Sequence, residues 1–151
     1  MKKLVLIILV LSMYSGCRKA ELKGRYFAFG SSHNAAIGDG MTFFLLKNSN
    51  LYSDNMDRSN YKEEWTFNND KLSKDKYKLA KQLLDKLPDY FKDNGSETFG
   101  CPDCADQGAY HIKIGEHNSI KTFHIDTKES TQPAEIREFI VSLSSTLKQL
   151  K

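Results

Sequence analysis

The sequence predicts an α+β fold: an antiparallel sheet, made of a meander plus a C-terminal hairpin, with two helices packed on one face. Three observations carry this. Apolar residues alternate with a period of two in short runs through the first half of the chain and again around residues 110–125. Two longer stretches instead repeat every three to four residues, the period of one helix face. The alternating runs are joined mostly by short polar turns, which suit hairpins between antiparallel strands.

In chain order, Arg25-Tyr26-Phe27-Ala28-Phe29 is rich in aromatics and ends at Gly30, which reads as a strand. A polar loop spans residues 31–40, with Gly38 and Gly40 permitting sharp backbone. Thr42-Phe43-Phe44-Leu45-Leu46 is the next strand, and Asn48-Ser49-Asn50 turns the chain into Leu51-Tyr52. Glu64-Trp65-Thr66-Phe67 reads as a further strand with Trp65 and Phe67 on one side. From Ser73, an N-cap, Tyr77, Ala80, Leu84, Leu87 and Phe91 recur on one helix face that Leu83 widens. Pro88 cannot sit inside a regular helix, so the spacing predicts a kink, or an end near Lys86 and a short second turn through Phe91. Asn94-Gly95 closes this segment.

In the second hairpin, Tyr110, Ile112 and Ile114 alternate with His111 and Lys113, and Phe123 and Ile125 with Thr122 and His124. Pairing Ile112 with Phe123 gathers the apolar side chains on one face and leaves Glu116-His117-Asn118-Ser119 as a four-residue loop. The same register puts His111 beside His124 on the opposite face, which reads as solvated. The last helix has Pro133 in its first turn and Glu135 and Glu138 near its N-terminus. Lys148 and Lys151 complement its C-terminus. Its apolar stripe is Ile136, Phe139, Ile140, Leu143, Leu147 and Leu150, with a Ser/Gln-rich polar face, so it covers the sheet rather than a membrane.

The N-terminus has a different character. Met1-Lys2-Lys3 is basic, residues 4–11 are uninterruptedly apolar, and Tyr14-Ser15-Gly16 places small residues before Cys17. That is the pattern of a secretory signal peptide, and its apolar run falls short of the about 20 residues a permanent span needs. The end of this segment resembles the lipobox of bacterial lipoproteins, with Tyr14 standing where an aliphatic residue is usual. The resemblance implies cleavage before Cys17, acylation of that cysteine with a thioether-linked diacylglycerol and an amide-linked chain such as palmitate, and firm membrane anchoring. The expected organisation is a signal peptide at 1–16, a lipidated tether at 17–23 and one domain at 24–151. The segment 18–23 reaches at most ~20 Å, so the domain should sit close to the membrane. Arg18 and Lys19 are not the aspartate that resembles an inner-membrane retention signal, and the expected location is the outer membrane, facing the periplasm.

Removing Lys2 and Lys3 from the 22 basic side chains leaves the remainder almost balanced by 19 acidic ones. With no basic cluster interleaved with aromatics, nucleic acid is not an expected partner. Assigning Cys17 to lipid also resolves the odd count of 3 cysteines, leaving Cys101 and Cys104 as a pair in an oxidising compartment.

Three readings of Cys101-Pro102-Asp103-Cys104 stay open. A local disulfide would stabilise by only ~2 kcal/mol, enough to shape a loop. Cys-Pro-x-Cys resembles the redox motif of thioredoxin-like and glutaredoxin-like proteins, but a strand follows here where that chemistry needs a helix N-terminus. Zinc is the third, with Cys101, Cys104, His111 and His124 as four acceptable ligand types in a spacing that matches no zinc ribbon or finger. Ser31, Ser32, His33 and Asp39 share one loop but lack the Gly-x-Ser-x-Gly elbow of hydrolases. Gly30, Gly38 and Gly40 lack the Gly-Lys-Ser/Thr of a phosphate loop.

The lipobox-like start, the Cys-Pro-Asp-Cys-Ala-Asp-Gln-Gly stretch before a hairpin and the amphipathic last helix together resemble small, uncharacterised lipoproteins of Gram-negative bacteria. That resemblance brings no activity with it. The expectation from the residues is a non-enzymatic binding or envelope-interaction module, contacting its partner through the helix-free sheet face and the loops 31–40 and 101–108. The alternative is extracytoplasmic metal binding or thiol–disulfide work at Cys101 and Cys104.

Overall fold

The computed structural model describes residues 22–33, 40–55, 61–102, 104 and 107–151. The signal peptide, Cys17, all but the end of the tether, and Asp39, Asp103 and Asp106 fall outside the described residues.

The architecture is α+β, built on one seven-stranded sheet in the order β4-β3-β2-β1-β6-β7-β5. The strands are β1 (Tyr26–Ser32), β2 (Thr42–Lys47), β3 (Asn50–Asp54), β4 (Phe67–Lys71), β5 (Glu97–Phe99), β6 (Ala109–Glu116) and β7 (Ser119–Asp126). The helices are α1 (Lys74–Asp85), α2 (Asp89–Asp93) and α3 (Ala134–Leu150), with a single 3-10 turn, Glu129–Thr131, before α3. Among the described residues no helix is long and apolar enough to cross a membrane.

The expectation of a purely antiparallel sheet is corrected by β5, which pairs with β7 in parallel, Phe99 opposite Ile125. The chain reverses from β5 to β6 and again from β6 to β7, and two reversals restore the original direction. Only Phe99 of this three-residue edge strand is buried, so it carries no period to read. The first predicted helix is two helices. Lys86 closes α1 with its N–H on the Leu83 carbonyl, and Pro88, in extended backbone, starts α2. A further strand is expected at 64–67, but β4 begins at Phe67, and Trp65 is buried just ahead of it.

Local chemistry explains where elements start and stop. Ser73 Oγ accepts the Lys76 N–H at 3.3 Å and caps α1. Asn48 and Ser49 both have positive φ, 49° and 58°, the two-residue turn that matches strand twist between β2 and β3. The turn between β6 and β7 is tighter than the four residues expected, because Glu116 pairs with Ser119 and only His117 and Asn118 remain outside the ladder. The register is the expected one, Ile112 opposite Phe123 and His111 opposite His124.

The helices pack on one face, where Phe27, Phe29, Ile112 and Phe123 meet the whole apolar stripe of α3. On the other face a smaller cluster forms from Tyr26, Ala28, Phe43, Leu45, Trp65 and Phe67. The sheet also has two distinct ends. Tyr26, Lys47, Gly115 and Glu116 mark the end where the described chain enters β1, and Ser32, Thr42, Ala109 and Asp126 mark the other.

The α3 stripe supplies a stability test. Leu143 is 0% exposed and Val141 is 70% exposed on the same helix. Leu143→Ala is expected to cost ~2–5 kcal/mol in urea unfolding, and Val141→Ala to stay within ~0.5 kcal/mol. Equal effects would place α3 off the sheet.

Candidate functional site

Two polar clusters stand out, both near the Ser32 end of the sheet and joined by β7. The first grows from the alternation of the central strands. Gly30 lies between Phe43 of β2 and His111 of β6 in the ladder. A Cβ at position 30 would strike Phe43, so the missing side chain leaves room above the sheet. The His111 ring sits there, 5.7 Å from the Phe43 ring.

The segment ahead of β4 then closes over the imidazole. Tyr61 stacks on His111 with centroids 4.4 Å apart and lies 5.4 Å from His124. Trp65 packs on Phe43 at 4.2 Å and donates its indole N–H to the Tyr61 carbonyl at 3.0 Å, which ties the covering segment together. The Lys113 ammonium lies 4.1 Å from the centroid of the Trp65 ring, within cation–π range. His111 is consequently 0% exposed, which corrects the expectation that it is solvated, while His124 is half-buried.

Buried polar atoms need partners, and His111 has one at each ring nitrogen. Its Nε2 is 2.7 Å from Ser32 Oγ, and its Nδ1 is 2.8 Å from His124 Nδ1. Two arrangements satisfy both contacts. Either the Ser32 hydroxyl donates to Nε2 while Nδ1–H donates to His124, or both hydrogen bonds run the other way. In each, His111 is neutral. Burial is the main cause, with His124 and Lys113 adding repulsion, and together they push its pKa down to about 3.

The Ser32–His111–His124 chain has the connectivity of a nucleophile, a base and an orienting group. Ser32 is 3% exposed, however, and the orienting group is a second imidazole rather than a carboxylate. The arrangement is a satisfied buried network. Of the loop residues considered for hydrolysis, Ser31 points the other way, lining a cavity with Tyr110 and Leu147 under α3.

The second cluster is the cysteine loop. Cys101 and Cys104 are joined as a disulfide, as one of the three readings held, and both residues are exposed. The loop leaves β5 through Gly100, whose φ of 70° is readily adopted only without a side chain. Buried Asp126 holds it. One carboxylate oxygen accepts the Cys101 N–H at 3.1 Å, and the other accepts from Gln107 Nε2 at 3.1 Å and the Lys128 N–H at 2.9 Å. Gln132 Nε2 donates to the Asp126 carbonyl at 2.9 Å. At the far side of the loop, Gly108 lies against the Ser32 carbonyl and the His33 ring; Ser31 and Ser32, expected in a loop, end β1 instead.

The structure thus brings His111 to His124 and Cys101 to Cys104. With the two sulfurs bonded to each other, the four-ligand zinc set is not assembled, and among the described residues no three His, Cys, Asp or Glu side chains form a metal shell. Sequence reasoning missed Asp126 and Tyr61. Asp126 continues the polar alternation of Thr122 and His124 and could have been found that way; Tyr61 carried no comparable signal.

Both clusters can be tested. The unfolded chain holds His111 near its ordinary 6.5, above its folded value of about 3, so over that interval the unfolded state binds more protons. Stability therefore falls as pH falls, by ~2 kcal/mol from ~pH 7 to ~pH 5, and a His111→Gln variant should lose this share of the slope in denaturant titrations. Asp126→Ala strands three N–H donors. It should cost ~1–3 kcal/mol and speed the release of thiols from Cys101 and Cys104 under a fixed reductant, followed by alkylation and mass spectrometry. An unchanged release rate would mean that the carboxylate does not hold the loop. No family model matches the chain and no curated protein sequence matches it, so the reading of this site rests on its own geometry.

Proposed function

We propose that the protein is a lipid-anchored, non-enzymatic binding module of the bacterial envelope, attached through Cys17, that presents its disulfide loop to a partner. The observation carrying this reading is the cysteine loop itself. Its two cysteines are exposed, while its backbone is pinned by buried Asp126 at the end of the sheet opposite the start of β1. Groups already held in place lose little entropy on binding. The polar groups with chemical potential are already engaged with one another: Ser32 with His111, His111 with His124, and Asp126 with the loop. The signal pattern before Cys17 and a disulfide in the same chain agree with an oxidising compartment, the outer membrane facing the periplasm.

The exposure of both cysteines favours a second reading, thiol–disulfide exchange or, after reduction, metal binding by Cys101 and Cys104 with His111 and His124. Against it, the Cys101 N–H meets the Asp126 carboxylate, and among the described residues no helix starts at the motif to stabilise a thiolate.

Metabolic labelling with palmitate, expected for the wild type and lost in Cys17→Ser, checks the anchor. Affinity recovery from envelope extracts checks the rest. A partner retained by the wild type and lost in the Cys101→Ser, Cys104→Ser pair supports the binding module, whereas recovery that requires added zinc supports the second reading.

A further inference from the structure

Residues 61–66 run in irregular backbone over the helix-free face of the sheet, and they are held at two points. At the base, the Asn55 N–H donates to the Thr66 carbonyl at 3.3 Å and the Thr66 hydroxyl to the Asn55 side-chain oxygen at 2.7 Å, beside the β3–β4 pair. Beyond it the segment rests on rings, Tyr61 on His111 and Trp65 on Phe43. The cluster it completes is the smaller of the two, and no helix contributes to it. Losing this cover would leave the helix layer packed on its own face.

The imidazole pair beneath the cover takes a limited number of protons. The 2.8 Å contact between the two Nδ1 atoms holds one hydrogen. Two neutral rings supply it, and so does a pair carrying one extra proton, because one ring donates and the other still accepts. A second extra proton sets N–H against N–H, and the contact must break. Among the described residues, no carboxylate on the neighbouring elements is placed to offset that charge. On the same face of β6, Lys113 adds repulsion to that of His124. From β1 comes the Ser32 hydroxyl and from β2 the Phe43 ring. The cover presents Tyr61 and Trp65, while its Lys62, Glu63 and Glu64 are exposed. On β7, Asp126 commits its carboxylate to the cysteine loop, and exposed His33 lies against Gly108.

We propose that residues 61–65 form a proton-operated cover: a second proton taken up by His111 and His124 separates the rings and lifts Tyr61 and Trp65 from the sheet, exposing Phe43 while the helix layer stays folded. Opening gives the buried ring water as a partner, so the open form binds a proton that the closed form refuses. Under the cover His111 titrates at about 3, and once hydrated it returns toward 6.5. Acid therefore favours opening, and the ratio of open to closed rises about tenfold per pH unit over that interval. Above it the cover stays closed. The device depends neither on the anchor at Cys17 nor on the disulfide loop, and it opens as a local unit because the larger cluster does not need it.

The chain has 1 tryptophan, so the Trp65 indole N–H, donated to the Tyr61 carbonyl, reports on the cover alone. Its hydrogen-exchange protection, corrected for the intrinsic rate, is followed by NMR from ~pH 7 to ~pH 4 beside the amides of β1 and far-UV circular dichroism. Protection is expected to fall about tenfold per pH unit below ~pH 6.5 while the β1 amides and the dichroism hold. His111→Gln should flatten the fall. His117→Asn, which removes a histidine from the exposed β6–β7 turn, should leave it unchanged. Indole and β1 amides losing protection together would mean global unfolding and overturn the proposal, as would protection indifferent to pH or an equal response in the two variants. Should His111→Gln fail to fold, His124→Gln decides instead: with one imidazole left, no N–H is set against another, and the fall should be weaker than in the parent chain. An undiminished fall in that variant would overturn the cover.

Discussion

Every residue of β1 is buried, and the strand sits at the centre of the sheet with β2 on one side and β6 on the other. A central strand buried on both faces needs cover on both faces, and the helices supply only one layer. Phe27 and Phe29 point into the helix layer, while Tyr26 and Ala28 point into the smaller cluster that Trp65 and Phe67 complete. The segment leading into β4 therefore does the work that a second helical layer does in doubly covered sheets. Small residues at 28 and 30 let it lie close, and the room left by Gly30 is taken by the Phe43 and His111 rings.

That second layer decides the chemistry of the imidazole pair. On an open antiparallel face His111 and His124 would be two hydrated bases; under Tyr61 and Trp65 they share a hydrogen bond in an apolar setting. Desolvation then outweighs every other influence on His111 and keeps it neutral. Ser32 is buried as well, and its hydroxyl and the two imidazoles form one hydrogen-bonded chain between β1, β6 and β7.

The two ends of β1 differ. At its start lies a groove lined by Phe27, Leu46 and Ile114; at its end lie Gly108, close against Ser32 and His33, and the disulfide held by Asp126. The separation is roughly the length of the strand, on the order of 20 Å at ~3.3 Å per residue.

Much of this was legible in the amino-acid sequence because the deciding physics is local. Period two against period three-and-a-half located most strands and both long helices, Ser73 and Pro88 marked helix boundaries, and the apolar alternation set the β6–β7 register residue by residue. The pairing of Cys101 with Cys104 was one of three readings open in the sequence, and the structure joins them. What tertiary structure alone decided depends on contacts between distant segments. The parallel edge strand β5 follows from two chain reversals, not from its own three residues. The burial of His111 depends on Tyr61 and Trp65, some fifty residues earlier, lying over it. The fixing of the cysteine loop depends on Asp126, 25 residues from Cys101. Solvent access and the partners of buried polar atoms are properties of the packed chain, and no local pattern encodes them.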